Sequence, residues 1–143
     1  MPAPKDDRPA VVTANRDFYR AFELLDASRM REVWLQETYV SVVHPGWARI
    51  LGWAAVLKSW EDIFHNTFGV SVEVSDEVTH VHGDLAWVTC TETLETRLYD
   101  GVSHATVEAT NLFERREGKW WLVHHHGSPL VRHNTPDGDL QLH

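Results

Sequence analysis

Apolar residues recur at helical spacing in the first part of the chain and alternate with polar ones in the second. From about Thr13 to Leu25 the stripe Ala14, Phe18, Ala21, Phe22 and Leu25 falls on one helical face. Asp26 and Ser28 predict the cap of a second, short helix carrying Met30, Val33 and Trp34. Tyr39 to Val43 predicts a short strand. His44-Pro45-Gly46-Trp47 predicts a turn, because Pro and Gly end regular structure. A third helix is expected from near Gly52, with Trp53, Val56, Leu57, Trp60, Ile63 and Phe64 at helical spacing.

Beyond Phe64 the period changes to two. Val70, Val72 and Val74 alternate with polar residues, Ser75-Asp76-Glu77 predicts a bulge or bend, and the strand resumes from Val78 to His82. Gly83-Asp84 is read as a tight turn, Ala86 to Leu98 as a long strand and Asp100-Gly101 as a second hairpin. Thr106 to Arg115 and Lys119 to His126 complete an antiparallel meander, with a turn at Glu117-Gly118. Helices first and strands afterwards imply an α+β domain with the helices packed on one face of the sheet. Residues 1–10 read as a disordered leader, 11–130 as the domain and 131–143 as an irregular polar tail.

Composition narrows the picture. The 143 residues fit one domain large enough to bury a core. Seven Trp are many for this length, and such rings either fill a core or line a cavity. A formal net charge of -8, without a basic stripe, argues against nucleic-acid binding. No apolar run is long enough to span a membrane, and the N-terminus has no apolar signal core. The lone Cys90 can form no internal disulfide, which suits a reducing cytoplasm.

Local sequences then carry a resemblance. Phe18-Tyr19-Arg20-Ala21-Phe22 with Asp26, Val43-His44-Pro45-Gly46-Trp47, Ala109-Thr110-Asn111-Leu112-Phe113 and the run from Trp120 to Ser128 resemble, in order and spacing, the SnoaL-like proteins of the nuclear transport factor 2-like superfamily. The resemblance covers roughly Val11 to Leu130. It implies a cone-shaped fold whose curved antiparallel sheet and helices enclose an apolar pocket, and commonly a homodimer. The superfamily includes ketosteroid isomerases, polyketide cyclases, dehydratases and members without known catalysis, so the fold does not set the function.

In the isomerase template an Asp is the general base, and a Tyr with a protonated Asp stabilises the oxyanion. The resemblance puts Phe18 at the Tyr position, His44 at the base and Asn111 at the protonated Asp. All three depart from the template, and Phe18 has no hydroxyl, so ketosteroid isomerisation by that route is not expected.

His44 could replace the carboxylate base, because a neutral imidazole accepts a proton near pH 7; its bland alternative is a histidine bonded to the Pro-Gly turn. Asn111 could hold a carbonyl or enolate oxygen, or merely tie two strands together. His124, His125 and His126 alternate across the last strand; strict alternation puts His124 and His126 with Trp120 and Leu122. His126 is taken as the third catalytic candidate. His124, Phe18, Trp47, Trp60, Phe64, Trp87 and Phe113 are candidates for a ligand-binding wall. The pair His124/His126 could contribute to a metal site, but no carboxylate at matching spacing accompanies it, so neither a metal nor another cofactor is expected.

Two functions follow. One is a cofactor-independent isomerase, cyclase or dehydratase acting on a small apolar or ring-containing molecule, with His44 as general acid/base. The other is a non-catalytic ligand-binding or dimeric association module.

Overall fold

The computed structural model describes residues 6–134 and 140–142. Helix α1 (Arg8–Glu23) carries a buried stripe of Val11, Asn15, Phe18 and Tyr19. It begins inside the stretch expected to be a leader, because Pro9 occupies the first turn, where its missing N–H costs nothing. Helix α2 (Ala27–Val33) is capped as expected, the Asp26 side chain accepting from the Arg29 N–H at 3.2 Å. Helix α3 (Trp53–His65) follows Gly52, whose φ of 89° suits the left-handed region, and buries Val56, Ser59, Trp60 and Phe64. Among the described residues no helix is long and apolar enough to cross a membrane.

Eight strands are described: β1 (Ser41–Val43), β2 (Ile50–Leu51), β3 (Gly69–His82), β4 (Leu85–Leu98), β5 (Gly101–Arg116), β6 (Lys119–Pro129), β7 (Arg132–Asn134) and β8 (Leu140–Leu142). The first six form one sheet in the order β2-β1-β6-β5-β4-β3. The long strands are an antiparallel meander, with the expected bulge between Ser75 and Val78. The short strand β1 adds to this meander in the other sense, running parallel to β6 and pairing Ser41 with His124 and Val43 with His126, so the sheet as a whole is mixed. Part of the expected irregular tail is likewise regular, since β7 and β8 pair antiparallel; residues 135–139 and 143 lie outside the described residues.

The helices cover one face of this sheet. Between them lies a core containing Phe18, Met30, Trp34, Val42, Trp60, Val88, Phe113 and Leu122, all fully enclosed. At 25–30 cal/mol per Å², burying a large side chain of this kind stabilises the fold by about 2 kcal/mol.

A second bulge decides which histidine enters this core. Leu112 pairs with His124 but Phe113 pairs with Leu122, so β6 holds one extra residue, Val123. Before it, Trp120 and Leu122 are buried; after it, His125 and Gly127 are. A single extra residue exchanges the two faces of everything that follows.

Candidate functional site

Seven polar or weakly polar side chains meet inside the core: Asn15 and Tyr19 from α1, Cys90 and Glu92 from β4, Asn111 from β5, His125 from β6 and, at the margin, Glu77 from β3. Strand alternation places them. Val88, Cys90 and Glu92 share the buried face of β4, as Ala109, Asn111 and Phe113 share that of β5. Glu92 and His125 are each only 1% exposed.

The direction of every hydrogen bond can be worked out from the Glu77 end. A carboxylate only accepts, so the Asn15 amide nitrogen donates to Glu77 at 3.3 Å. That leaves Asn15 Oδ1 to accept from Asn111 Nδ2 at 2.8 Å. The second Asn111 amide hydrogen goes to the Tyr19 hydroxyl at 3.1 Å. Asn111 Oδ1 must then accept from His125 Nδ1, 2.5 Å away. His125 is thereby fixed as the Nδ1–H tautomer, with its lone pair on Nε2. The Tyr19 hydroxyl donates to Glu92 at 2.6 Å and accepts from the Cys90 thiol at 3.3 Å.

Nε2 of His125 lies 3.9 Å from Glu92 Oε2. Burial pushes the Glu92 carboxyl up to about 7, while the Tyr19 hydroxyl pulls the other way. Burial holds His125 well below its ordinary value, helped by His44, His124 and His126. The pair is therefore a neutral imidazole beside a carboxyl close to half-protonated near pH 7. Burial also raises the Cys90 thiol to about 11, so it is not a thiolate nucleophile.

His44 sits across Trp60 from this network. Its ring is edge-on to Trp60 at 4.6 Å between centroids, and Trp60 lies 6.0 Å from His125 and 5.6 Å from Phe18. The Ser59 hydroxyl donates to the Val56 carbonyl at 2.6 Å, so it accepts from His44 Nε2–H at 2.9 Å. His44 therefore keeps its lone pair on Nδ1. Burial lowers its value to about 4, making it neutral at physiological pH and comparable in basicity to a carboxylate. Trp47, 48% exposed at the end of the turn, packs edge-on over His44 at 4.9 Å. Gly46 at φ 83° allows this turn, which closes with Trp47 N–H donating to the His44 carbonyl at 2.8 Å.

The fully buried Trp60 Nε1–H has no acceptor among the described residues, and the Trp34 indole shares this state. Such a donor costs about 1–3 kcal/mol.

The structure thus brings His44, Trp47, Trp60, Phe18 and Phe64 together, and puts Asn111 beside them as an orienting group. Both Asn111 amide hydrogens are engaged, so in this arrangement it offers no donor to an oxyanion. Phe113 is core, opposite Ala86 and Leu122. Three expectations are corrected. His124 and His126 lie on the outer face, where His124 Nδ1 and the Ser41 hydroxyl are 2.7 Å apart, because Val123 shifts them there. Trp87 is also on the outer face, stacked with His80 and His82 at 5.2 and 5.1 Å.

Sequence reasoning missed His125, Tyr19, Asn15, Glu92 and Ser59. Glu92 carried a readable signal, an acid on the same strand face as Val88 and Cys90.

Residues 11–132 match the model of the SnoaL-like domain family, and the chain belongs to that family. The fold is that of the nuclear transport factor 2-like superfamily. A crystal structure of a candidate dehydratase of that family from Streptomyces avermitilis is 35% identical, with a TM-score of 0.82 over 87% of this chain and 96% of that one. A candidate calcium/calmodulin-dependent protein kinase type II association domain from Thiobacillus denitrificans is 30% identical, with a TM-score of 0.70 over 82% of this chain and 93% of that one. The F-box protein SKIP8 of Arabidopsis thaliana is 29% identical over 122 residues, 85% of this chain and 50% of that protein, so the chain spans about half the length of this curated relative.

Proposed function

We propose that the chain is a small-molecule enzyme of isomerase or lyase type, with His44 as general base and no cofactor in the step. The observation that carries this is the Trp60 ring, packed between two neutral histidines whose lone pairs are free of intramolecular donors, with an indole N–H that has no acceptor among the described residues. A carbonyl oxygen would satisfy that donor, and its α-proton would pass to His44 Nδ1. The electron pair of the broken C–H bond would form the enolate, steadied by the indole N–H.

In an isomerisation the same proton returns at another carbon. In a dehydration the β-hydroxyl leaves as water, with the proton held by Glu92 handed on through His125 Nε2. Transfer of the His44 proton back to Glu92 resets the site. The 35% identical candidate dehydratase favours the second outcome. Trp47 packs edge-on over His44, so a ligand would reach His44 by displacing that ring. The lone, inert thiol of Cys90 suits a reducing compartment such as the cytoplasm.

Thermal-shift screening against planar ketones, steroids and polyketide-like phenols tests the reading. A raised midpoint for wild type that is lost in a folded Trp60→Phe variant supports it. An equal response in that variant would remove the indole from the account.

A second reading rests on the outer sheet face. Trp87, Leu112, Thr110 and His124 form a half-exposed band without a formal charge at neutral pH, on a chain of net charge -8. Such a band suits a second copy of the chain, as in a homodimer, and the 30% identical candidate association domain points the same way. Light scattering reads it directly: a dimer that Thr110→Arg converts to a monomer supports it, and a monomeric wild type ends it.

A further inference from the structure

A cleft of about 140 Å³ opens between α1 and β3, lined by Asn15, Arg16, Tyr19, Arg20, Glu23, Val72 and Val74. It is on the opposite side of the polar network from His44 and Trp47. Its inner end is formed by Asn15 and Tyr19, the two α1 residues that reach Glu92 and Asn111. Its β3 wall is two valine side chains. Its rim carries two guanidinium groups one helical turn apart, and neither Arg16 nor Arg20 has a carboxylate within salt-bridge distance among the described residues.

Two carboxylates border it, and both keep their charge while accepting from neutral donors rather than from the arginines. Glu23 Oε1 accepts from the Val72 backbone N–H at 2.9 Å, satisfying a donor on the sheet's edge strand and pinning the cleft wall. Glu77 accepts from Asn15 at the inner end. What remains is an apolar wall, a polar floor and, at the mouth, two guanidinium groups that no carboxylate of the described residues contacts.

We infer that this cleft is a binding site for a ring-sized monocarboxylate, its ring on Val72 and Val74 and its carboxylate between Arg16 and Arg20. Size sets the class: a cavity of about 150 Å³ holds one benzene ring. Charge sets the headgroup, because guanidinium groups pair with carboxylates through two parallel hydrogen bonds. A neutral ring of the same shape would leave both arginines in water and gain only the apolar contact. The site does not depend on the acid–base reading, since its residues exclude His44, Trp60 and His125.

Benzoate is the probe, followed by the Val72 and Val74 methyl resonances of the full chain, with benzamide as the uncharged control and Arg16→Gln/Arg20→Gln as the variant. Both arginines are exposed, so the variant folds, and its melting midpoint checks this. Benzoate shifts those methyls saturably, and benzamide or the variant weakens binding roughly ten-fold. Three results would overturn the inference: benzamide binding as tightly as benzoate, the double variant binding benzoate undiminished, or valine methyls that do not move while benzoate is at about 10 mM. Because the readout is binding, failure of every turnover assay would defeat the acid–base reading and leave this site intact.

Discussion

His125 and Asn111 face each other across β6 and β5, with Nδ1–H of the imidazole donating to the amide oxygen 2.5 Å away. This one contact transmits the orientation of the Glu77–Asn15–Asn111 chain to His125 and leaves Nε2 bare beside Glu92. Nitrogen NMR of the wild type should therefore show His125 protonated on Nδ1 and not on Nε2 at pH 7. Asn111→Ala strands the Nδ1–H in the core. It should cost about 1–3 kcal/mol in a urea titration and mix the two tautomers.

Two buried groups oppose each other in their effect of pH on stability. Glu92 is raised from 4.5 to about 7, so it binds its proton more tightly folded than unfolded. Its contribution is complete below pH 4.5 and is lost as pH rises through 7. Glu92→Gln removes that loss, and the variant should gain on the wild type by about 3 kcal/mol between about pH 5 and about pH 8. Denaturant midpoints across that range read the slope.

His44 has the reverse sign. Lowered from 6.5 to about 4, it contributes stability that is present above pH 6.5 and lost as pH falls through 4. His44→Gln should flatten this acid limb whatever its effect at neutral pH. An acid limb unchanged in the variant would place the responsible group elsewhere.

Gly127 sits under the turn that follows His44. A Cβ there would lie 3.0 Å from Pro45 Cγ and 3.0 Å from Val107 Cγ1, in a packed interior. Gly127→Ala should cost about 1–3 kcal/mol and displace the Pro45 ring, which a crystal structure or the His44 ring resonances would reveal.

The bulge at Val123 separates neighbouring histidines by role. His125→Ala should abolish turnover, whereas His126→Ala should leave it within about two-fold, since its side chain is on the far face of the sheet. Equal losses in both variants would contradict the assignment of faces.

The helices, the turns and the order of the long strands were legible because each follows from local chemistry: Asp26 as a cap, Gly52 and Gly83 at positive φ, alternation along β4. His44 and Trp60 were legible too, through the turn and the α3 stripe. The histidine run was not. Period two assigns His126 to the core face only if the strand is regular, and nothing in Leu122-Val123-His124 announces the extra residue. The parallel pairing of β1 with β6 joins segments about eighty residues apart and has no local signal. The network escaped notice because Asn15 and Tyr19 sit among apolar residues of the α1 stripe, where their partners on β4 and β5 become visible only in three dimensions.

If the Trp60-centred cluster performs acid–base chemistry on a carbonyl compound, that chemistry can be measured. Its most direct test is water loss from a panel of β-hydroxy ketones, followed by enone absorbance, for wild type, His44→Ala and His125→Ala, each confirmed folded. Wild type should turn over at least one member, and each variant should lose roughly 100-fold or more of that rate. Equal rates in wild type and His44→Ala, or no turnover and no water loss across the panel, would contradict it.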